Sequence, residues 1–129
     1  MKTVITFGTF DVFHVGHLRI LQRARAFGDR LVVGVSTDQL NYEKKGRFPV
    51  YTQNERLEIV SSIKWVDAVF LEDSLEKKRE YLAAYGADVL VMGSDWAGIF
   101  DMFSDSCNIV YVDRTPSIST TEVIEKIRG

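Results

Sequence analysis

The 129 residues carry 46% hydrophobic and 26% charged side chains, the balance of an ordinary globular domain rather than of a disordered, fibrous or membrane chain. A formal net charge of -2 offers no basic surplus, so nucleic acid is not an expected partner and any anion site must be local. No apolar run approaches the ~20 residues that span a bilayer, and the chain enters a strand at once without a secretory segment. One cysteine, Cys107, leaves no internal disulfide, and no Cys/His grouping has zinc spacing. These readings predict a cytoplasmic protein with a single domain over 1–129 and no membrane contact.

The first predicted strand is Val4-Ile5-Thr6-Phe7, β-branched and aromatic. Gly8 breaks it, and after Thr9-Phe10-Asp11 the chain's two histidines, His14 and His17, flank Val15-Gly16. Leu18, Ile20, Leu21, Ala24 and Phe27 then follow at helical spacing. A strand turning into a helix through glycine is where α/β proteins bind phosphate, because the helix end offers amide donors and a partial positive charge. Histidines three apart on a first turn share a face, with Cβ atoms roughly 5–6 Å apart. Gly16 between them leaves room for a ligand to approach the backbone.

Phe27-Gly28-Asp29 reads as a C-cap and turn. A second buried strand follows at Arg30 to Val35, ended by Ser36-Thr37-Asp38, which makes a parallel strand–helix–strand unit. Asn41 to Tyr51 has no periodicity and carries Lys44, Lys45 and Arg47; it reads either as a basic loop that closes over phosphates or as a solvated charged loop. Thr52-Gln53-Asn54-Glu55 is a capping box opening a helix through Ile63. Further strands are expected at 66–71, 87–92 and 108–112. A polar-faced helix is expected from Asp73 to Tyr85, with Glu76 to Glu80 as its solvated face, and a short amphipathic helix around Ile99 to Phe103. The alternation predicts a single-domain, Rossmann-like α/β fold: an open parallel five-stranded sheet flanked by helices. Near the C-terminus Ser119-Thr120-Thr121-Glu122 reads as a second capping box, a helix end with three hydroxyls and Arg114 upstream.

Gly8-Thr9-Phe10-Asp11, His14-Val15-Gly16-His17 and the distant Ile118-Ser119-Thr120-Thr121 together resemble the signature of the nucleotidyltransferase superfamily that includes the cytidylyltransferases, from Val4 to about Ile127. With Arg114-Thr115 the chain looks most like the bacterial glycerol-3-phosphate branch. The resemblance implies CTP as nucleotide, sn-glycerol 3-phosphate as acceptor, and CDP-glycerol for wall teichoic acid or a related polymer as product. Magnesium with the triphosphate and a homodimer are implied as well. It implies nucleotide contacts at Gly8, Thr9, Phe10, Gly16, His17, Gly93, Asp95, Arg114, Thr115, Ser119 and Thr120, and acceptor contacts at Asp11, Lys44, Arg56, Lys64 and Trp96. His14, His17, Lys44 and Arg114 are the implied catalytic set. The chain departs from the family at Lys64, where an arginine is usual, at Ser94, where an aspartate is usual, and at Leu75, near a usual tryptophan.

The residues supply phosphate donors and no nucleophile beside a base. They suit direct attack of a phosphate monoester on an α-phosphorus, with pyrophosphate leaving. Another phospho-alcohol or phospho-sugar with CTP or ATP, or a nucleotide-binding module without turnover, remain alternatives at this stage.

Overall fold

A computed structural model of the chain describes residues 1–113 and 120–129. Five parallel strands, β1 (Thr3–Gly8), β2 (Arg30–Ser36), β3 (Ala68–Glu72), β4 (Val89–Gly93) and β5 (Asn108–Val112), form one sheet in the order β3-β2-β1-β4-β5. The helices are α1 (Val15–Arg25), α2 (Asp38–Lys45), α3 (Gln53–Ser61), α4 (Lys78–Ala84) and α5 (Thr120–Arg128). The chain builds outward from β1 to β3, then returns to the other side of β1 for β4. That reversal opens a crevice beyond the carboxyl ends of β1 and β4, the place where open α/β sheets bind ligands.

Strand alternation sorts the core onto two faces. Val4, Leu31, Val33, Val35, Val89 and Val91 pack with Leu21 and Ala24 of α1 and Val60 of α3 on one face. Ile5, Phe7, Val32, Leu90 and Met92 pack with Leu82 of α4 and Phe100 on the other. In register, Gly8 pairs with Val35, Ser36 with Glu72 and Gly93 with Val112, so the four loops after β1, β2, β3 and β4 leave from one edge.

Several local expectations change. The segment expected to be an aperiodic loop from Asn41 is helical as far as Lys45, because Thr37 caps α2 by accepting the Leu40 N–H at 3.1 Å, and Gly46 ends it at φ 74. Only Leu40 and Asn41 of α2 are buried, too few to register as periodicity. The helix expected from Asp73 begins only at Lys78: the Tyr81 hydroxyl donates to the Asp73 carboxylate at 2.6 Å and accepts its N–H, holding that residue outside the helix. A 3-10 turn at Asp101–Phe103 stands where the amphipathic helix was expected around Ile99 to Phe103, and another spans Ser94–Trp96. Ala26, in right-handed conformation, caps α1 in place of Gly28.

Candidate active site

The turn from β1 into α1 is held in a costly shape. Phe10 (φ 55) and Val12 (φ 47) both lie in the left-handed region, at roughly 1–3 kcal/mol each, and a β-branched valine is especially unsuited to it. Phe10 folds its ring back over Gly8, where an added Cβ would sit 2.8 Å from the ring. Two buried side chains hold this turn. The Asp11 carboxylate accepts the Val50 N–H at 2.7 Å and the Tyr51 N–H at 2.8 Å. Arg56, whose side chain is wholly buried, donates to the carbonyls of Thr9 (2.9 Å), Ser36 (2.7 Å) and Tyr51 (3.1 Å) and pairs with Asp38 at 2.7 Å. One guanidinium thus ties the loops after β1 and β2 to the entrance of α3, a task for which its planar fork of donors is suited.

This turn delivers the two histidines. His14 is the N-cap of α1, and its Nδ1 accepts the Gly16 N–H at 3.0 Å. His17 reaches back so that its Nδ1 accepts the His14 N–H at 3.2 Å. The rings stack with centroids 4.0 Å apart, and Phe10 meets the His17 ring edge-to-face at 5.5 Å. A neutral imidazole that accepts at Nδ1 carries its proton on Nε2. Both Nε2 atoms then converge on the Thr120 hydroxyl at the start of α5, at 3.3 Å from His14 and 3.5 Å from His17, while that hydroxyl donates to the Asp11 carbonyl at 3.2 Å. Burial, and then the neighbouring His14, push the His17 pKa down to about 3, so it is a neutral donor at physiological pH. The helix-end amide of Gly16, expected to face a ligand, is engaged by His14; the two Nε2–H groups are the outward donors.

A cavity of about 1070 Å³ opens over this turn. It brings together Gly8, Thr9, Phe10, Asp11, His14, Gly16, His17, Lys44, Gly93, Asp95, Trp96 and Thr120 from the sequence-derived set. Lys44 rides on the last turn of α2; burial lowers its pKa, and the nearby Glu72 carboxylate opposes that shift. Arg114, Thr115 and Ser119 lie outside the described residues.

Three residues expected at the acceptor have other partners within this chain. Arg56 does not line the cavity, because its guanidinium is spent on backbone carbonyls and Asp38. Asp11 borders the cavity, but both carboxylate oxygens are committed to the Val50 and Tyr51 amides. Lys64 stands at the opposite edge, before β3 begins, with its ammonium 4.8 Å from the centroid of the Trp65 ring.

Sequence reasoning missed two features. Asn41, almost fully buried, closes a ring of hydrogen bonds: Thr9 Oγ1 donates to Asn41 Oδ1 (2.9 Å), Asn41 Nδ2 to Ser36 Oγ (3.0 Å), and Ser36 Oγ to Thr9 Oγ1 (3.2 Å). The Thr9 hydroxyl proton, expected to serve a phosphate, is therefore engaged. Lys78, read as part of a solvated face, is buried and pairs with buried Glu72 at 2.5 Å. The spacing Lys78, Tyr81, Leu82, Tyr85 was the available signal, since it sets the lysine on the apolar stripe of α4.

The arrangement is a crevice into which two imidazole Nε2 atoms converge, and known proteins are similar to the chain that builds it. The profile of the cytidylyltransferase-like family matches residues 5–126. The glycerol-3-phosphate cytidylyltransferase of Bacillus subtilis (strain 168) is 44% identical over 129 residues, covering 100% of this chain and 99% of that protein. That of Staphylococcus aureus (strain NCTC 8325 / PS 47) is 41% identical over 129 residues, covering 100% and 97%. Among solved structures, a lipopolysaccharide core biosynthesis protein from Thermoplasma volcanium superimposes with a TM-score of 0.79 at 26% identity, over 89% of this chain and 98% of that one. Signature turn, sheet order and full-length similarity agree: the chain belongs to the cytidylyltransferase-like family.

Proposed function

We propose that this protein is a nucleotidyltransferase that moves CMP from CTP to sn-glycerol 3-phosphate, releasing pyrophosphate and CDP-glycerol for a glycerol-phosphate polymer such as wall teichoic acid. The observation that carries the reading is the convergence of two imidazole Nε2 atoms on one point, now held by the Thr120 hydroxyl. A phosphate oxygen arriving there takes over that oxygen's acceptor role. The full-length relatives named for this reaction support the choice of substrates.

In this mechanism an acceptor phosphate oxygen attacks the α-phosphorus of CTP; the new P–O bond forms as the bond to the bridging oxygen of pyrophosphate breaks. The attacking phosphate is already anionic, so no general base is needed. His14 and His17 donate to the phosphoryl oxygens as charge builds on them, and they need no proton exchange to do so. Lys44 neutralises phosphate charge from α2. Arg114, Thr115, Ser119 and Thr120 hold the β- and γ-phosphates, while Gly93, Asp95 and Trp96 border the nucleoside and acceptor. Asp11 and Arg56 act as positioning residues that hold the turn. Magnesium enters as the counter-ion of the triphosphate, part of the substrate; among the described residues no cluster of His, Cys, Asp or Glu is built to hold it. The working unit in this reading is a homodimer, to which Lys64 contributes from outside the chain's own cavity.

The test is pyrophosphate release in the presence of magnesium, crossing CTP, ATP, GTP and UTP with glycerol 3-phosphate and a panel of phosphorylated alcohols and sugars. Release with CTP and glycerol 3-phosphate is expected. Release with ATP alone would overturn the base assignment, and CTP turnover with a different acceptor would overturn the acceptor.

A further inference from the structure

The basic stretch from Asn41 to Tyr51 is fastened at both ends to the turn that carries the histidines. At its start Asn41, 1% exposed, accepts the Thr9 hydroxyl at 2.9 Å. At its far end the Val50 and Tyr51 amides donate to the Asp11 carboxylate at 2.7 and 2.8 Å. None of residues 42–48 between these anchors is buried, and the cations Lys44, Lys45 and Arg47 all border the cavity. Thr9 and Asp11 are neighbours but one in the chain, so one short turn fixes where this arch of charge leaves and where it returns. Asp11 braces the turn in the reaction proposed for the site, and Lys44 meets phosphate. Asn41 has no part in it.

Packing alone does not account for Asn41. A buried amide contributes little net stability even when it is fully hydrogen-bonded, and an apolar side chain of similar length would fill the space. What the amide adds is direction. Thr9 Oγ1 donates to Asn41 Oδ1, Asn41 Nδ2 to Ser36 Oγ, and Ser36 Oγ to Thr9 Oγ1, so each member of the ring donates once and accepts once within it. Apolar contacts tolerate sliding, whereas a closed ring of hydrogen bonds selects one arrangement. The element it fixes is α2, an eight-residue helix in which only Leu40 and Asn41 are buried. Asn41 is thus the last buried residue before Lys44, which follows three positions later on the same face, about 4.5 Å along the axis. A helix so short and so little buried has scant packing to fix its rotation. Misplacing a reacting or charge-stabilising group by about 1 Å can cost about a hundredfold in rate.

We propose that Asn41 is a positioning residue for the reaction: through its closed ring with Thr9 and Ser36 it sets the rotation of α2 and holds the Lys44 ammonium at a fixed place relative to His14 and His17. The ring joins the end of β2, the turn after β1 and the lysine helix at one point, so the cationic and imidazole sides of the site move as a unit. This inference rests on the cytidylyltransferase reading and deepens it by assigning the contact that aligns the two sides.

The experiment measures pyrophosphate release from saturating magnesium–CTP against glycerol 3-phosphate for wild type, Asn41→Leu, Lys44→Met and the double variant, with urea unfolding of each. Asn41→Leu and Lys44→Met are each expected to lower kcat/KM by about tenfold or more. The double variant is expected to stay within about twofold of Lys44→Met, because an absent ammonium cannot be misplaced. The shift in urea midpoint caused by Asn41→Leu should be the same with or without Lys44, which separates alignment from stability. Ser36→Ala opens the ring by removing one hydroxyl; it should lower kcat/KM when Lys44 is present and not when it is absent, and it carries the test if Asn41→Leu does not fold. Losses that multiply in the double variants would make the ring a general brace and overturn the proposal. Full turnover by a ring variant or by Lys44→Met would overturn it as well. Wild type that releases no pyrophosphate from CTP with any acceptor removes the cytidylyltransferase reading and this proposal with it, a result seen before any variant is made.

Discussion

The His17 environment makes a quantitative claim about stability and pH. Its imidazole is held neutral in the folded protein, with a pKa of about 3 against 6.5 for a free side chain. Below pH 6.5 the unfolded chain binds a proton there and the folded chain does not. The unfolded state therefore gains on acidification, and the stabilising contribution is complete above about pH 6.5 and lost as the pH falls toward 3. At 1.36 kcal/mol per pH unit, the loss between pH 8 and pH 5 is about 2 kcal/mol, before most carboxylates titrate. His17→Asn removes the titration but keeps an acceptor near the Nδ1 position, so the His14 N–H retains a partner. Urea unfolding at four pH values from 8 to 5 should show the wild type losing about 2 kcal/mol more than the variant. Parallel losses would refute a buried, neutral His17. The same tautomer assignment predicts that long-range nitrogen–proton NMR correlations place the proton on Nε2 of both rings at pH 7.

The bracing of the turn gives further expectations. Arg56→Lys keeps the charge but cannot serve three carbonyls and Asp38 together. It should cost about 2–4 kcal/mol in urea unfolding, given 1–3 for each buried carbonyl left unpaired, and should lower kcat. Asp11→Asn presents an NH₂ to one of the two amides that the carboxylate now accepts. A loss of about 2–3 kcal/mol is expected with kcat falling more than the KM for CTP, because the turn that aims the histidines relaxes. Gly34→Ala should destabilise by about 1–3 kcal/mol in urea unfolding through overpacking against Phe7 and Phe70.

Much of this protein was legible in one dimension because local pattern and global fold agree. Continuous apolar strands between amphipathic helices specify a parallel sheet, since only a strand covered on both faces is apolar throughout. His14 and His17 were recognisable because their spacing fixes a shared face at a helix start whatever surrounds them. The loop reading from Asn41 and the helix start at Asp73 failed because capping and a hydrogen bond from Tyr81 to Asp73, rather than periodicity, set where those helices begin; the solvated reading of Glu76 to Glu80 failed at Lys78 alone.

What tertiary structure alone decided is the work each polar side chain does. Asp11 and Arg56 carry the charges of substrate-binding residues, yet long-range partners at Val50, Tyr51, Ser36 and Asp38 consume them. Lys78 sits within a run of surface-like charges, yet Glu72 and Phe7 draw it into the cavity wall. Periodicity records which way a residue faces on its own element. Whether a charge meets water, a backbone amide or a substrate depends on what the fold places opposite it.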